Sequence, residues 1–122
     1  MKTLLRGKRV GLPSGQNVAR AYGLDPLNPE QIAQGPDKEI LTNFGYDTKT
    51  PLWYYVLKEA ELTTRGAHLG VLGSKLVSDV VMAAILRDPD SYLSMDRNWT
   101  PTLPGAENPK LFGMADLLRF AN

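Results

Sequence analysis

The sequence predicts an all-α fold of short helices joined by long loops. Three observations carry this. Apolar residues recur at helical spacing in the centre of the chain, no segment sustains strand alternation, and caps, prolines and glycines punctuate the rest. A length of 122 residues allows one domain or a piece of a larger one. Hydrophobic residues make up 43% of the chain, enough for a packed core and too many for wholesale disorder.

Residues 1–50 are rich in turn formers, among them Gly11, Pro13, Gly15, Gly23, Pro26, Gly35, Pro36 and Gly45, so only short helices fit between them. Ser14 is placed to cap a brief helix through Val18, Ala19 and Tyr22 that ends at Gly23. Asn28-Pro29-Glu30 reads as a cap with a first-turn proline, opening a turn over Glu30–Ala33. Lys38–Phe44 is a further short helix. Thr50-Pro51 repeats the cap-and-proline pattern, and Leu52, Val56 and Ala60 behind it share one face, which predicts a helix from Pro51 to about Leu62.

Thr63–Gly70 is a connection, and a longer helix follows over Val71–Arg87. Leu72, Leu76, Val80 and Ala83 form one stripe and Gly73, Val77, Val81 and Ala84 the next. So wide an apolar arc predicts that this is the most buried element of the chain. Lys75 and Asp79 share the remaining polar face at i,i+4 spacing and are expected to pair. Asp88-Pro89 stops the helix, because the residue before proline resists the α region. Asp96–Lys110 reads as a loop, and Met114–Phe120 as a short docking helix. Loops of this length are unusual in a small helical domain, so the chain reads as a piece of something bigger.

Charge narrows the function classes. Lys and Arg number 14 against 13 Asp and Glu, a net charge of +1, so bulk charge makes no case for nucleic acid or an anionic membrane as a partner. Cysteine is absent, which excludes disulfides, thiolate metal sites and thiol nucleophiles. The opening residues carry charge with no apolar run behind them and do not read as a secretion signal. The longest apolar stretch, Leu76–Leu86, holds Ser78 and Asp79 and is too short to span a bilayer.

No residue pattern spells out an active site. His68 is the only histidine and falls in a connection, where a solvated ring is the commoner outcome than a ligand. Ser74 and Ser78 lack a nucleophile-elbow sequence. Gly66, Gly70 and Gly73 follow no strand and precede no Gly-Lys-Ser/Thr, so they make no phosphate loop. Glu59 and Glu61, two apart on a helix, point away from each other and form no carboxylate dyad. Arg6-Gly7-Lys8-Arg9 reads as a solvated basic turn, and Trp53-Tyr54-Tyr55 as core plus rim of a helix.

A resemblance adds to this. Leu5 through Gln16, Leu-Arg-Gly-Lys-Arg-Val-Gly-Leu-Pro-Ser-Gly-Gln, resembles the relaxed bacterial form of the Arg-Gly signature of animal-type haem peroxidases, the superfamily of myeloperoxidase and the cyclooxygenases. Further stretches are similar to the bacterial proteins in the same order: Thr50–Glu61, Leu69–Ser74 with the helix after it, Asp88–Leu93, Trp99-x-Pro101-Thr102-Leu103-Pro104, and Phe112–Ala121. The resemblance covers nearly the whole chain. It implies the C-terminal part of a mainly helical haem peroxidase, an oxidoreductase that reduces a hydroperoxide and oxidises a donor.

The same resemblance implies what is missing. The family's distal histidine, its assisting arginine and its proximal histidine all precede the signature, so none matches a position here. Thr3 stands where the family has the asparagine that supports the proximal ligand, and Lys8, Arg9 and Val10 replace Arg-Asp-His. Arg6 matches the signature arginine, which the resemblance places near the haem propionates. The expectation is therefore a segment that is inactive alone and meets haem only with an upstream peroxidase segment. Its expected partners are that segment or a second copy. The alternative is a non-catalytic helical interaction module that retains part of the peroxidase fold.

Overall fold

The computed structural model describes residues 2–98, 100 and 113–121. They form an all-α structure of eight helices: α1 Lys2–Arg9, α2 Gly15–Ala21, α3 Pro29–Ile32, α4 Lys38–Asn43, α5 Leu52–Thr64, α6 Val71–Arg87, α7 Tyr92–Met95 and α8 Met114–Ala121. Among the described residues the only strand-like pairing is an isolated antiparallel bridge between Ser14 and Pro51. None of these helices is long and apolar enough to cross a membrane. The chain divides into two compact units, residues 1–80 and 81–122.

The first unit is built around α5. Tyr55, 2% exposed, packs with Val18 and Ala19 of α2, Ile32 of α3, Leu41 of α4 and Leu72 of α6. α2 lies against α5 so closely that a Cβ on Gly15 would fall onto the Tyr55 ring. Gly73 plays the same part for α6, where a Cβ would come within 2.8 Å of Val56 Cγ1. The glycines therefore set how near the helices approach. The Tyr55 hydroxyl is satisfied in the core by accepting the Leu27 backbone N–H at 2.8 Å.

Local signals place most helix ends as the sequence predicts. Ser14 accepts the Asn17 N–H at the start of α2, and Gly23 turns the chain away with φ +67°. Asn28 and Gln31 form a reciprocal capping box around Pro29 at the start of α3. α6 stops at Arg87, ahead of Asp88-Pro89. α5 runs to Thr64 and closes through Arg65 in the left-handed region, φ 54°, with Gly66 N–H bonded to the Ala60 carbonyl at 3.0 Å.

Four expectations change. The basic Arg6–Arg9 stretch is a helical turn of α1, not a free turn. Arg6, Lys8 and Arg9 fall in its last turn, where cations suit the helix dipole, and Gly11 at φ +68° lets Leu12 N–H close back on the Gly7 carbonyl at 3.0 Å. Thr50 does not cap α5. Its hydroxyl donates to the Tyr46 carbonyl at 2.7 Å, and its N–H donates to Gln16 Oε1 at 3.0 Å. Asp79 does not pair with Lys75 but accepts the Tyr22 hydroxyl at 2.7 Å, which raises the Tyr22 pKa, since ionising it would lose that hydrogen bond and also set two anions together.

The fourth change is the largest. α6 buries only Leu72 and Gly73, while Val77 and Val80 stand 52% and 70% exposed. Periodicity identifies residues that would accept burial. What covers them depends on the neighbours the fold supplies, and α6 meets the core only through its first turns.

In the second unit, the end of α6 is followed by α7, capped by Ser91, which accepts the Ser94 N–H. In α8, Asp116 accepts the Gly113 N–H at 3.0 Å and pairs with Arg119 at 3.2 Å. Neither α7 nor α8 has a buried residue, and Leu117, Leu118 and Phe120 are exposed. Of the expected loop Asp96–Lys110, Trp99 and residues 101–110 lie outside the described residues.

Candidate functional site

Among the described residues the buried polar groups lie on α2, on α5 and in the connection that leads into α5. Gln16, Thr50, Lys58 and Glu59 are all buried, and no buried side-chain polar atom among the described residues lacks a partner. Gln16 donates through Nε2 to Thr50 Oγ1 at 2.7 Å and to the Asp47 carbonyl at 3.1 Å. With Thr50 N–H returning to Gln16 Oε1 and Gly15 N–H bonded to the Thr50 carbonyl at 2.9 Å, this closes the α4–α5 connection onto α2. The arrangement is a clamp: every N–H of the Gln16 amide and the Thr50 hydroxyl proton finds an acceptor.

Lys58 and Glu59 are neighbours on α5 with different duties. Lys58 Nζ donates to the Gln34 carbonyl at 2.7 Å and to Glu61 Oε2 at 3.0 Å, tying the turn after α3 to α5. Glu59 accepts the N–H groups of Leu72 at 3.0 Å and Gly73 at 3.2 Å. Its carboxylate thus caps α6, which has no capping side chain of its own, and the negative charge faces the positive end of the helix dipole. Gly70 makes room, since a Cβ there would lie 2.5 Å from Glu59 Cδ.

The sequence reading missed these roles. Glu59 and Glu61 do point apart, but Glu59 points at another helix. The available signal was Gly70 standing where a capping residue belongs, which leaves the first N–H groups of an apolar helix to be satisfied from elsewhere.

The residues singled out for chemistry lie on the surface. Arg6 is exposed on α1, and no hydrogen bond or ion pair engages its guanidinium among the described residues. His68 is exposed in the α5–α6 connection, with Nδ1 2.9 Å from the Leu69 carbonyl. Ser74 Oγ donates to that same carbonyl at 3.3 Å, and Ser78 is exposed. No nucleophile–base hydrogen bond therefore links Ser74 with His68. Among the described residues no group of three or more His, Cys, Asp or Glu is placed to hold a metal ion.

Haem iron is ligated by His, Cys, Met or Tyr side chains, and the one histidine, His68, is a surface ring beside its own backbone. An open depression of about 450 Å³ is lined by Pro29, Glu30, Gln34, Lys38, Thr42 and Asp47 among others. Arg6 offers a free guanidinium that would suit a carboxylate, which is one anchoring contact and not a cofactor pocket.

Comparison of the chain with protein-family models, with curated proteins and with solved structures finds no match.

Proposed function

We propose that this chain is a non-catalytic helical segment of an animal-type haem peroxidase, a support that packs against a haem-bearing upstream segment. The observation that carries the reading is a mismatch in the first unit. Its polar interior is fully satisfied, yet Trp53 and Leu57 of α5 and Val71, Val77 and Val80 of α6 stand about half exposed or more. Large apolar surfaces on soluble proteins usually mark contact sites. The ordered series of peroxidase-like stretches supplies the identity of the contact. In that assembly Arg6 would face a haem carboxylate, and α5 and α6 would form part of the supporting wall.

Titrating hemin into the chain, with the Soret band and donor oxidation as readouts, tests this. The chain alone should give no sharp stoichiometric shift and no turnover. A stoichiometric Soret shift abolished by His68→Ala, accompanied by donor oxidation, would overturn it.

A second reading is an independent helical interaction module. The compact core around Tyr55, complete with capped helices, favours it. Adding an upstream peroxidase segment separates the two. Stabilisation of haem binding in that segment by this chain supports the first, and indifference supports the second.

A further inference from the structure

We propose that α1 of one copy docks on the acidic, apolar outer face of α4 and the adjoining α3–α4 depression of a second copy. This goes beyond the peroxidase reading and does not rest on it.

The starting point is a charge division hidden by the net charge of +1. Lys2, Arg6, Lys8, Arg9 and Arg20 precede the first acidic residue, Asp25. Between Asp25 and Asp47 the balance reverses: Asp25, Glu30, Asp37, Glu39 and Asp47 stand against Lys38 alone. With the total so near zero, the field close to the surface is set mainly by how the charges are distributed.

Structure turns both blocks into surfaces. At about 100° per residue, Lys8, Leu5, Arg9, Lys2 and Arg6 follow one another around one side of α1, and all are exposed. Leu5, 51% exposed, therefore stands between two cations, with exposed Val10 just beyond the helix. Gly7 lies on the opposite side, where a Cβ would meet Leu12 at 3.5 Å, so the basic arc faces outward.

The receiving side has the complementary composition. Ile40 of α4 and Phe44, which caps the C-terminus of that helix, are 58% and 70% exposed, and Phe44 stacks on Tyr46 with ring centroids 6.1 Å apart. Exposed Asp37 and Glu39 stand at the start of the same helix. The depression between α3 and α4 carries Glu30 and Asp47 at its lining, with Lys38 its one cation. A basic helix edge bearing a leucine matches an acidic edge bearing an aromatic and an isoleucine. The like-charged alternatives, α1 on α1 or α4 on α4, repel. Nucleic acid fits less well, because the basic arc interleaves with aliphatic side chains and not with aromatics.

Because the two surfaces differ, the contact is heterologous in kind. It should weaken with salt, which distinguishes it from apolar association through α5 and α6. Sedimentation equilibrium of the intact chain at low salt and at about 0.5 M NaCl reads this. The wild type should associate at low salt and dissociate at high salt. K8E/R9E and E30K/E39K, all exposed positions, should each weaken association by about tenfold or more, and an equimolar mixture of the two should recover a hetero-complex. Circular dichroism confirms that both variants fold. A monomer at all salt concentrations, association that salt leaves unchanged, or a mixture of folded variants that stays monomeric would overturn the proposal. So would a monomeric chain that instead sediments with phosphatidylserine vesicles or with a DNA duplex, which would assign α1 to a different anionic partner.

Discussion

Glu59 holds the backbone amide of Leu72, thirteen residues on, at 3.0 Å, so a carboxylate on α5 caps the start of the next helix. The bond joins two of the chain's longer helices through a charge buried to 8% exposure. Truncation would leave two buried N–H groups without partners, each costing about 1–3 kcal/mol. Glu59→Ala should therefore lower unfolding stability by about 2–4 kcal/mol. Glu59→Gln, which keeps one accepting oxygen, should cost less than the alanine. Urea denaturation followed by circular dichroism ranks them, and an alanine variant as stable as wild type would show that α6 needs no such cap.

Close approach at Gly15 and backbone freedom at Gly23 are separable. Gly15→Ala would drive a methyl into the Tyr55 ring, and overpacking of this kind costs about 1–3 kcal/mol. Gly23→Ala meets nothing within 4 Å, and its cost, about 1 kcal/mol, comes from φ +67° alone. The denaturation midpoints should fall in the order wild type, Gly23→Ala, Gly15→Ala. The reverse order would mean that α2 does not lie against α5 in this way.

Leu72 and Val80 share a stripe of α6 but not an environment. Leu72 is fully buried, so Leu72→Ala should cost about 2–5 kcal/mol. Val80 is 70% exposed, and Val80→Asp should change the stability of the isolated chain by no more than about 0.5 kcal/mol. A strongly destabilised Val80→Asp monomer would restore the deep burial that periodicity suggests.

Alkaline pH acts through the tyrosines. Burial raises the Tyr55 pKa above its ordinary 10.0, and burial with the nearby Asp37 raises that of Tyr54. The folded chain thus keeps these protons at pH values where the unfolded chain releases them. The associated stability is complete below about pH 10 and is lost as pH climbs through the higher folded values. Tyrosinate absorbance should lag behind that of the denatured chain and then rise as the helices melt. Coincident titration curves for folded and denatured chain would contradict this.

Much of the fold was legible wherever the deciding interaction is local. Ser14, Asn28-Pro29 and Asp88-Pro89 act on backbone groups within a few residues, and they placed the ends of α2, α3 and α6. Thr50 carried the same local signal and misled, because Gln16, far away in sequence, competes for it. The exposure of α6 and the Glu59 cap were hidden for the same reason, being set by what other helices bring near. Of the candidate site, Arg6 was visible only through resemblance. The clamp of Gln16 and Thr50 has no sequence signature, since any amide and hydroxyl could form it once the helices meet.

The claim that this is a folded support with an uncovered apolar face is tested most directly by ANS fluorescence of the helical chain at high dilution. The dye should bind while circular dichroism stays helical, and Val77→Asp with Val80→Asp should reduce the signal without unfolding the chain. A compact monomer that leaves the dye dark, stable at every dilution, would contradict it and favour the independent module.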